Sequence, residues 1–161
     1  MKILTDQEEK KAFEHFKNAV EIAKKSTCQR SKCGSLIVNL DKIIGSGFNS
    51  PPQDIENQRR CSIKKDSYNI KVTDKTCCIH AEQRAIMDAL RKKPEKLNGS
   101  RLYFIRLDEN GKPSKAGEPY CTICSKMALD VGILEFVLWN DQGVCVYETK
   151  EYNELSFNFG K

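Results

Sequence analysis

Histidine is scarce in this 161-residue chain: there are two, His15 and His80. No apolar run approaches the ~20 residues that a bilayer-spanning helix needs, which excludes a membrane-spanning helix. Aromatic residues make up 8% of the chain and the lysines are scattered. That argues against a basic groove studded with stacking rings for single-stranded nucleic acid. The net charge of +5 is modest and lacks the concentrated patch of a nucleic-acid binder, though it is compatible with a phosphate-bearing ligand. There is no internal repeat and no low-complexity segment. A second Cys-x-x-Cys is missing too, so paired cysteine knuckles cannot make a four-thiolate finger. The first ten residues turn charged at once, so no secretory signal is expected and the cytoplasm is the default location.

What is present concentrates in two stretches. Residues 77–90 read Cys-Cys-Ile-His-Ala-Glu-Gln-Arg-Ala-Ile-Met-Asp-Ala-Leu, and residues 118–124 read Glu-Pro-Tyr-Cys-Thr-Ile-Cys. Each leads into a helical apolar pattern: Ala81, Ala85 and Ala89 with Ile86 and Leu90 after the first, Ile123, Met127 and Val131 in the second. His80, Cys121 and Cys124 therefore stand where helices begin. One imidazole and two thiols suit Zn2+, and three protein ligands leave the fourth tetrahedral position open, as in catalytic sites. Helix N-termini help hold the cysteines as thiolates. Glu82 sits in the first helical turn, placed to reach a water on the metal and carry protons. Two plainer readings stay open: Cys121 and Cys124 as a structural half-site or redox pair, and His80 as an ordinary helix-start histidine.

His-x-Glu followed by Pro-x-Cys-x-x-Cys resembles the zinc-dependent cytidine and deoxycytidylate deaminase superfamily. The family usually reads Pro-Cys; here Tyr120 separates Pro119 from Cys121. The resemblance implies an α/β fold in three α-β-α layers, with a five-stranded mixed sheet and a C-terminal β-hairpin. It implies hydrolytic deamination at C4 of a cytosine, with Glu82 as proton carrier and His80, Cys121 and Cys124 as zinc ligands. It also implies substrate contacts from Asn49, from the backbone of Ala81, and from Pro119 and Tyr120.

The remaining chain reads as one deaminase domain over residues 1–161. A helix is expected over 6–26, capped by Asp6, with Phe13, Phe16, Ala19, Val20 and Ala23 inward and His15 solvated. Strands are expected at 34–39 and 43–48, then at 102–106, 133–139 and 144–147, with a helix after His80 that Pro94 stops. Residues 140–143 are too few for a crossover helix, so the last two strands should pair antiparallel. Under the resemblance, that hairpin goes with free-nucleoside deaminases, whereas the overall size and the insert after the second strand look like deoxycytidylate deaminase. The tail, with Tyr152, Leu155, Phe157 and Phe159, alternates weakly and is expected to close the core.

Residues 51–77 form an inserted loop near the pocket, where Arg59, Arg60, Lys64 and Lys65 could meet a phosphate or simply face solvent. Cys33 and Cys145 fall in strand patterns as small core residues. Cys28, Cys61, Cys77 and Cys78 could bind a second, structural zinc, although their spacing fits no standard finger. Three functional classes compete: a deaminase of a free small-molecule nucleoside or nucleotide, which the residues favour, a nucleic-acid deaminase, and a non-catalytic zinc domain, for which Glu82 has no use. A homo-oligomer is expected and a membrane partner is not.

Overall fold

The computed structural model describes residues 1–161. Its framework is a sheet built from β1 (Lys2–Ile3), β2 (Cys33–Asn39), β3 (Lys42–Phe48), β4 (Arg101–Leu107), β5 (Pro113–Ser114), β6 (Glu135–Asn140) and β7 (Gly143–Glu148). The spatial order is β1-β7-β6-β4-β2-β3, with β5 pairing β4 on the side. Only β4 and β6 run parallel; every other pair is antiparallel. The five expected strands are all present. The sheet has seven because two two-residue strands, β1 and β5, extend it, too short to leave a periodic signal in sequence.

Four helices cover the sheet: α1 (Asp6–Ala23), α2 (Ala81–Lys92), α3 (Thr122–Asp130) and α4 (Thr149–Phe157). Strand alternation sends successive side chains to opposite faces. Leu36, Val38, Tyr103, Ile105 and Val137 meet Ala12, Phe16, Ala19 and Ala23 of α1. Ile37, Leu102, Phe104, Phe136 and Leu138 face the other way, toward Ala85, Ile86 and Ala89 of α2, Ala128 of α3 and Tyr152 of α4. Two cores thus share one sheet, which is the three-layer α-β-α arrangement. No helix is long and apolar enough to cross a membrane.

Several details differ from the sequence reading. Helix α1 stops at Ala23, because buried Ser26 turns its hydroxyl to the Asn49 side chain (2.7 Å) and pulls the chain off the helical path. Its N-cap is Thr5 rather than Asp6. His15 is half-buried, its ring 4.9 Å from that of Tyr103, and burial pushes its pKa down. The tail is helix α4, not a strand-like run. Its buried face is Thr149, Tyr152 and Ser156, whose spacing is helical but two-thirds polar, so hydrophobicity alone hides it. Tyr152 stacks on Phe136 at 4.0 Å. The β6–β7 hairpin is antiparallel as expected, but α4 follows it, so it is not C-terminal. The inserted segment contains three short 3₁₀ turns, Pro52–Asp54, Glu56–Gln58 and Lys65–Ser67.

The position of α2 depends on two glycines of β3. A Cβ on Gly45 would lie 2.5 Å from the Ala85 carbonyl oxygen, and one on Gly47 would lie 2.3 Å from that of Ala81. Helix and strand approach to backbone contact because Gly45 and Gly47 face Ala81, Ala85 and Ala89, with the Cβ of Arg84 at the edge of the Gly47 contact. That contact fixes where α2 begins, and therefore where His80 and Glu82 stand.

Candidate active site

Helices α2 and α3 start side by side. His80 is the extended residue before α2, and its backbone N–H donates to Gln83 Oε1 (3.0 Å), which fixes the turn into the helix. Cys121 is the corresponding residue before α3, and its carbonyl accepts the Ser125 N–H (3.0 Å). Cys124 follows one turn later and is fully buried. Strand β4 leads through α3 into its parallel neighbour β6, so α3 lies against the same face of the sheet as α2.

His80 Nδ1 lies 3.2 Å from both Cys121 Sγ and Cys124 Sγ. On the far side of the ring, Thr76 Oγ1 is 3.3 Å from Nε2. The Thr76 hydroxyl donates to Asp74 Oδ1 (2.6 Å), so its oxygen is left to accept the Nε2 proton. Once the ring gives up its Nδ1 proton, this bond keeps the remaining proton on Nε2 and leaves the Nδ1 lone pair toward the two sulfurs, the outer-shell pattern of metal-binding histidines. The Cys121 thiolate holds His80 up at about 9. A hydrogen bond with Cys124, and then His80 itself, pull Cys121 down to about 4. Cys124 moves up, through its bond to Cys121 and then burial.

The donor set fits zinc. Tetrahedral zinc with ordinary Zn–S and Zn–N bonds separates its nitrogen and sulfur ligands by about 3.5 Å. The spacing here is a few tenths of an ångström from that, with soft and borderline donors only. The three donor atoms lie within 4.8 Å of one another, and the Glu82 carboxylate is not among them. Glu82 is 5% exposed; burial, followed by the Cys121 thiolate, pushes its carboxyl up to about 7.

A cavity opens above this group. Its walls include His80, Ala81, Glu82, Asn49 and Tyr120. Asn49 is heavily committed within the protein: Oδ1 accepts from the Cys33 N–H (2.8 Å) and meets the Ser26 hydroxyl, while Nδ2 donates to the Ser31 carbonyl (2.8 Å). One amide proton remains for a ligand. Pro119 is buried and is not part of the cavity wall. Of Arg59, Arg60, Lys64 and Lys65, Lys65 alone lines the cavity. Arg59 is bound to Glu56 and to the Thr27 carbonyl (2.7 Å), and Arg60 to the Gln58 carbonyl (2.6 Å). Wall residues with no site role in the sequence reading include Arg30, Ser31, Thr76, Phe104 and Arg106. Arg106 shared a signal with Phe104, two residues before it on the same face of β4.

Two helix starts converging on an imidazole and two thiols, with a buried carboxyl beside them, define a class. Residues 9–139 match the cytidine and deoxycytidylate deaminase zinc-binding region, and the chain belongs to that family. Among solved structures it resembles the dCMP deaminase of the cyanophage S-TIM5 in complex with dCMP and dUMP: 25% identity, 83% of this chain and 82% of that one covered, TM-score 0.55. The apo form of that protein gives 21% identity over 82% of each chain, with a TM-score of 0.53. Cytidine deaminase from Burkholderia pseudomallei shares the fold at 19% identity, with 92% and 96% coverage and a TM-score of 0.51. No curated protein matches the sequence.

Proposed function

We propose that the chain hydrolyses the exocyclic amine of a cytosine base in a free nucleotide, releasing ammonia and leaving uracil. One observation carries the reading: a buried carboxyl that is not among the metal donors, held near neutral pKa beside a three-donor group at the cavity wall. A group that must take a proton and return it works best with a pKa near the working pH. Zinc, when bound, acidifies a water and polarises it toward the ring carbon. Glu82 would accept one water proton and deliver it to the ring nitrogen, then take the proton of the hydroxyl left on the ring carbon and pass it to the departing amine, which leaves as ammonia. His80, Cys121 and Cys124 hold the metal. The Ala81 backbone and the remaining Asn49 amide proton orient the base, and Tyr120, half-exposed at the wall, covers it.

The cavity favours a phosphate over a bare nucleoside. Arg30, Lys65 and Arg106 line it, against a single carboxylate, Glu82. The likeness to a dCMP deaminase points the same way. The antiparallel hairpin, which the family resemblance associates with free-nucleoside enzymes, points the other way. The test is loss of cytosine absorbance with cytidine, deoxycytidine, their monophosphates and a cytosine-bearing oligonucleotide. A kcat/KM highest for a monophosphate is expected. Preference for the nucleoside would overturn the phosphate reading, and turnover of the oligonucleotide alone would replace it with a nucleic-acid deaminase.

A further inference from the structure

The segment between residues 52 and 76 is almost entirely at the surface. Ile55, Ile63, Ile70 and Val72 are exposed, and the segment's single buried residue is Cys61. A stretch of this length with no apolar anchor needs something else to hold it, because ordering each residue costs about 1–2 kcal/mol of backbone entropy. Cys61 is in contact with three other cysteines. The sulfurs of Cys28, Cys61 and Cys78 all lie within 4.8 Å of one another. Cys77 Sγ lies 3.4 Å from Cys61 Sγ and 3.9 Å from Cys78 Sγ. All four are free thiols.

Four thiols converging from three separate segments are poorly explained as packing. They come from the turn after α1, the middle of the insert and the run into α2, and no disulfide joins them. Cys28, Cys61 and Cys78 form a three-sulfur group, and Cys77 is within reach of two of its members, Cys61 and Cys78, so that a fourth ligand needs only a small shift toward Cys28. Four thiolates around tetrahedral zinc, with Zn–S near 2.3 Å, lie about 3.8 Å apart along each edge. A closed four-sulfur site of this kind is structural, with no open position. Zinc with four thiolates is doubly negative, and Arg59, while paired with Glu56, also brings Nη1 to 3.6 Å from Cys61 Sγ. The Arg30 guanidinium donates to the carbonyls of Cys61 (2.8 Å) and Ile63 (2.6 Å).

We propose that Cys28, Cys61, Cys77 and Cys78 bind a second zinc ion, a structural clip that fastens the inserted segment against the cavity. Binding forms four Zn–S bonds and releases four thiol protons, with no change of oxidation state. Cys78 precedes His80 by two residues, and Ile79 between them donates its N–H to the Ser50 carbonyl (2.9 Å). The clip therefore also secures the segment that presents His80. The proposal stands apart from the deaminase reading, since it uses none of the three donors beside Glu82.

Native mass spectrometry of the full chain, purified under reducing conditions, tests it. The wild type should carry two zinc ions. Cys61→Ser and Cys121→Ser should each carry one, and the double variant none. Loading Cys121→Ser with cobalt should give the visible bands and strong sulfur charge-transfer absorption of a tetrahedral all-thiolate centre. Alkylation should spare Cys28, Cys61, Cys77 and Cys78 in the wild type until a chelator is added. If Cys61→Ser does not fold, the wild-type zinc count and alkylation pattern decide alone. A wild type with one zinc, lost in Cys121→Ser, and with the four thiols alkylated at once would overturn the clip and leave the deaminase reading intact. A Cys61–Cys77 disulfide that survives chelation would also overturn it.

Discussion

Replacing Glu82 by glutamine exchanges one oxygen of a buried side chain for an amide nitrogen and should separate chemistry from structure. The carboxylate is not among the donor atoms that surround His80 Nδ1, so the variant should keep its zinc. The amide has nearly the same shape but cannot accept a proton and return it. A positioned acid–base group is worth about 10²–10⁴ in rate. One residue serving several transfers belongs at the top of that range, ~5 kcal/mol of transition-state stabilisation. Substrate should still bind, because the lost interaction belongs to the transition state.

Stability gives an independent reading of the same residue. Burial raises the Glu82 carboxyl from 4.5 to about 7, so the folded chain prefers it protonated. Ionising it then opposes folding: not at all below the unfolded pKa, increasingly between the two values, and fully above the upper one. At ~1.36 kcal/mol per pH unit the gap is worth about 3 kcal/mol once zinc has been stripped. A stripped Glu82→Gln variant should therefore melt higher than the wild type at pH 8, with the gain vanishing below about pH 4.5. Loaded with zinc, whose charge offsets this cost, the two should melt alike. Measuring kcat, zinc content and Tm on one preparation distinguishes the outcomes. Activity within tenfold of wild type would refute the proton-carrier role, and loss of zinc together with activity would make Glu82 part of the metal site.

Other outcomes are equally specific. In stripped protein at pH 7, His80 is protonated, Cys121 ionised and Cys124 protonated, so zinc uptake releases two protons. Zinc affinity measured against a chelator between pH 6 and 8 should rise about a hundredfold per pH unit; a flat profile would contradict the assignment. Arg106→Gln should raise KM for the monophosphate at least about tenfold, the scale of a lost charge-assisted hydrogen bond, and barely affect the nucleoside. Equal effects on both would give Arg106 a scaffold role. Tyr152→Ala empties a site stacked on Phe136 and should cost about 3–5 kcal/mol in urea unfolding, with zinc content unchanged.

The residues readable from sequence were those whose chemistry is local. His80, Cys121 and Cys124 stand out because each lies at the start of a periodic apolar run, and the structure brings their donor atoms together. The principal strands were legible because, buried between two helical layers, they read as short continuous apolar runs. Helix α4 was not, since its inward positions Thr149 and Ser156 are polar and break the apolar stripe that marks a buried helix face. The cysteine cluster could be counted but not assembled, because its members arrive from segments whose meeting depends on the whole sheet. Asn49 looked free to bind a ligand. Its partners Ser26, Ser31 and Cys33 are 16 to 23 residues away, and no pattern in the chain announces them.

The backbone contact between β3 and α2 has a consequence for how this protein tolerates change. Gly47 carries no functional atom, yet its missing side chain sets the height of Ala81, the residue between His80 and Glu82. A methyl group there would lie 2.3 Å from a carbonyl oxygen and 2.4 Å from the Ala85 nitrogen, so the helix must lift or tilt. Displacements of this size at reacting groups cost about a hundredfold in rate. In a survey of every single substitution scored by growth, Gly47 should therefore cluster with the metal ligands rather than with the other strand positions. Inheritance at this site constrains an empty volume as tightly as a reactive atom.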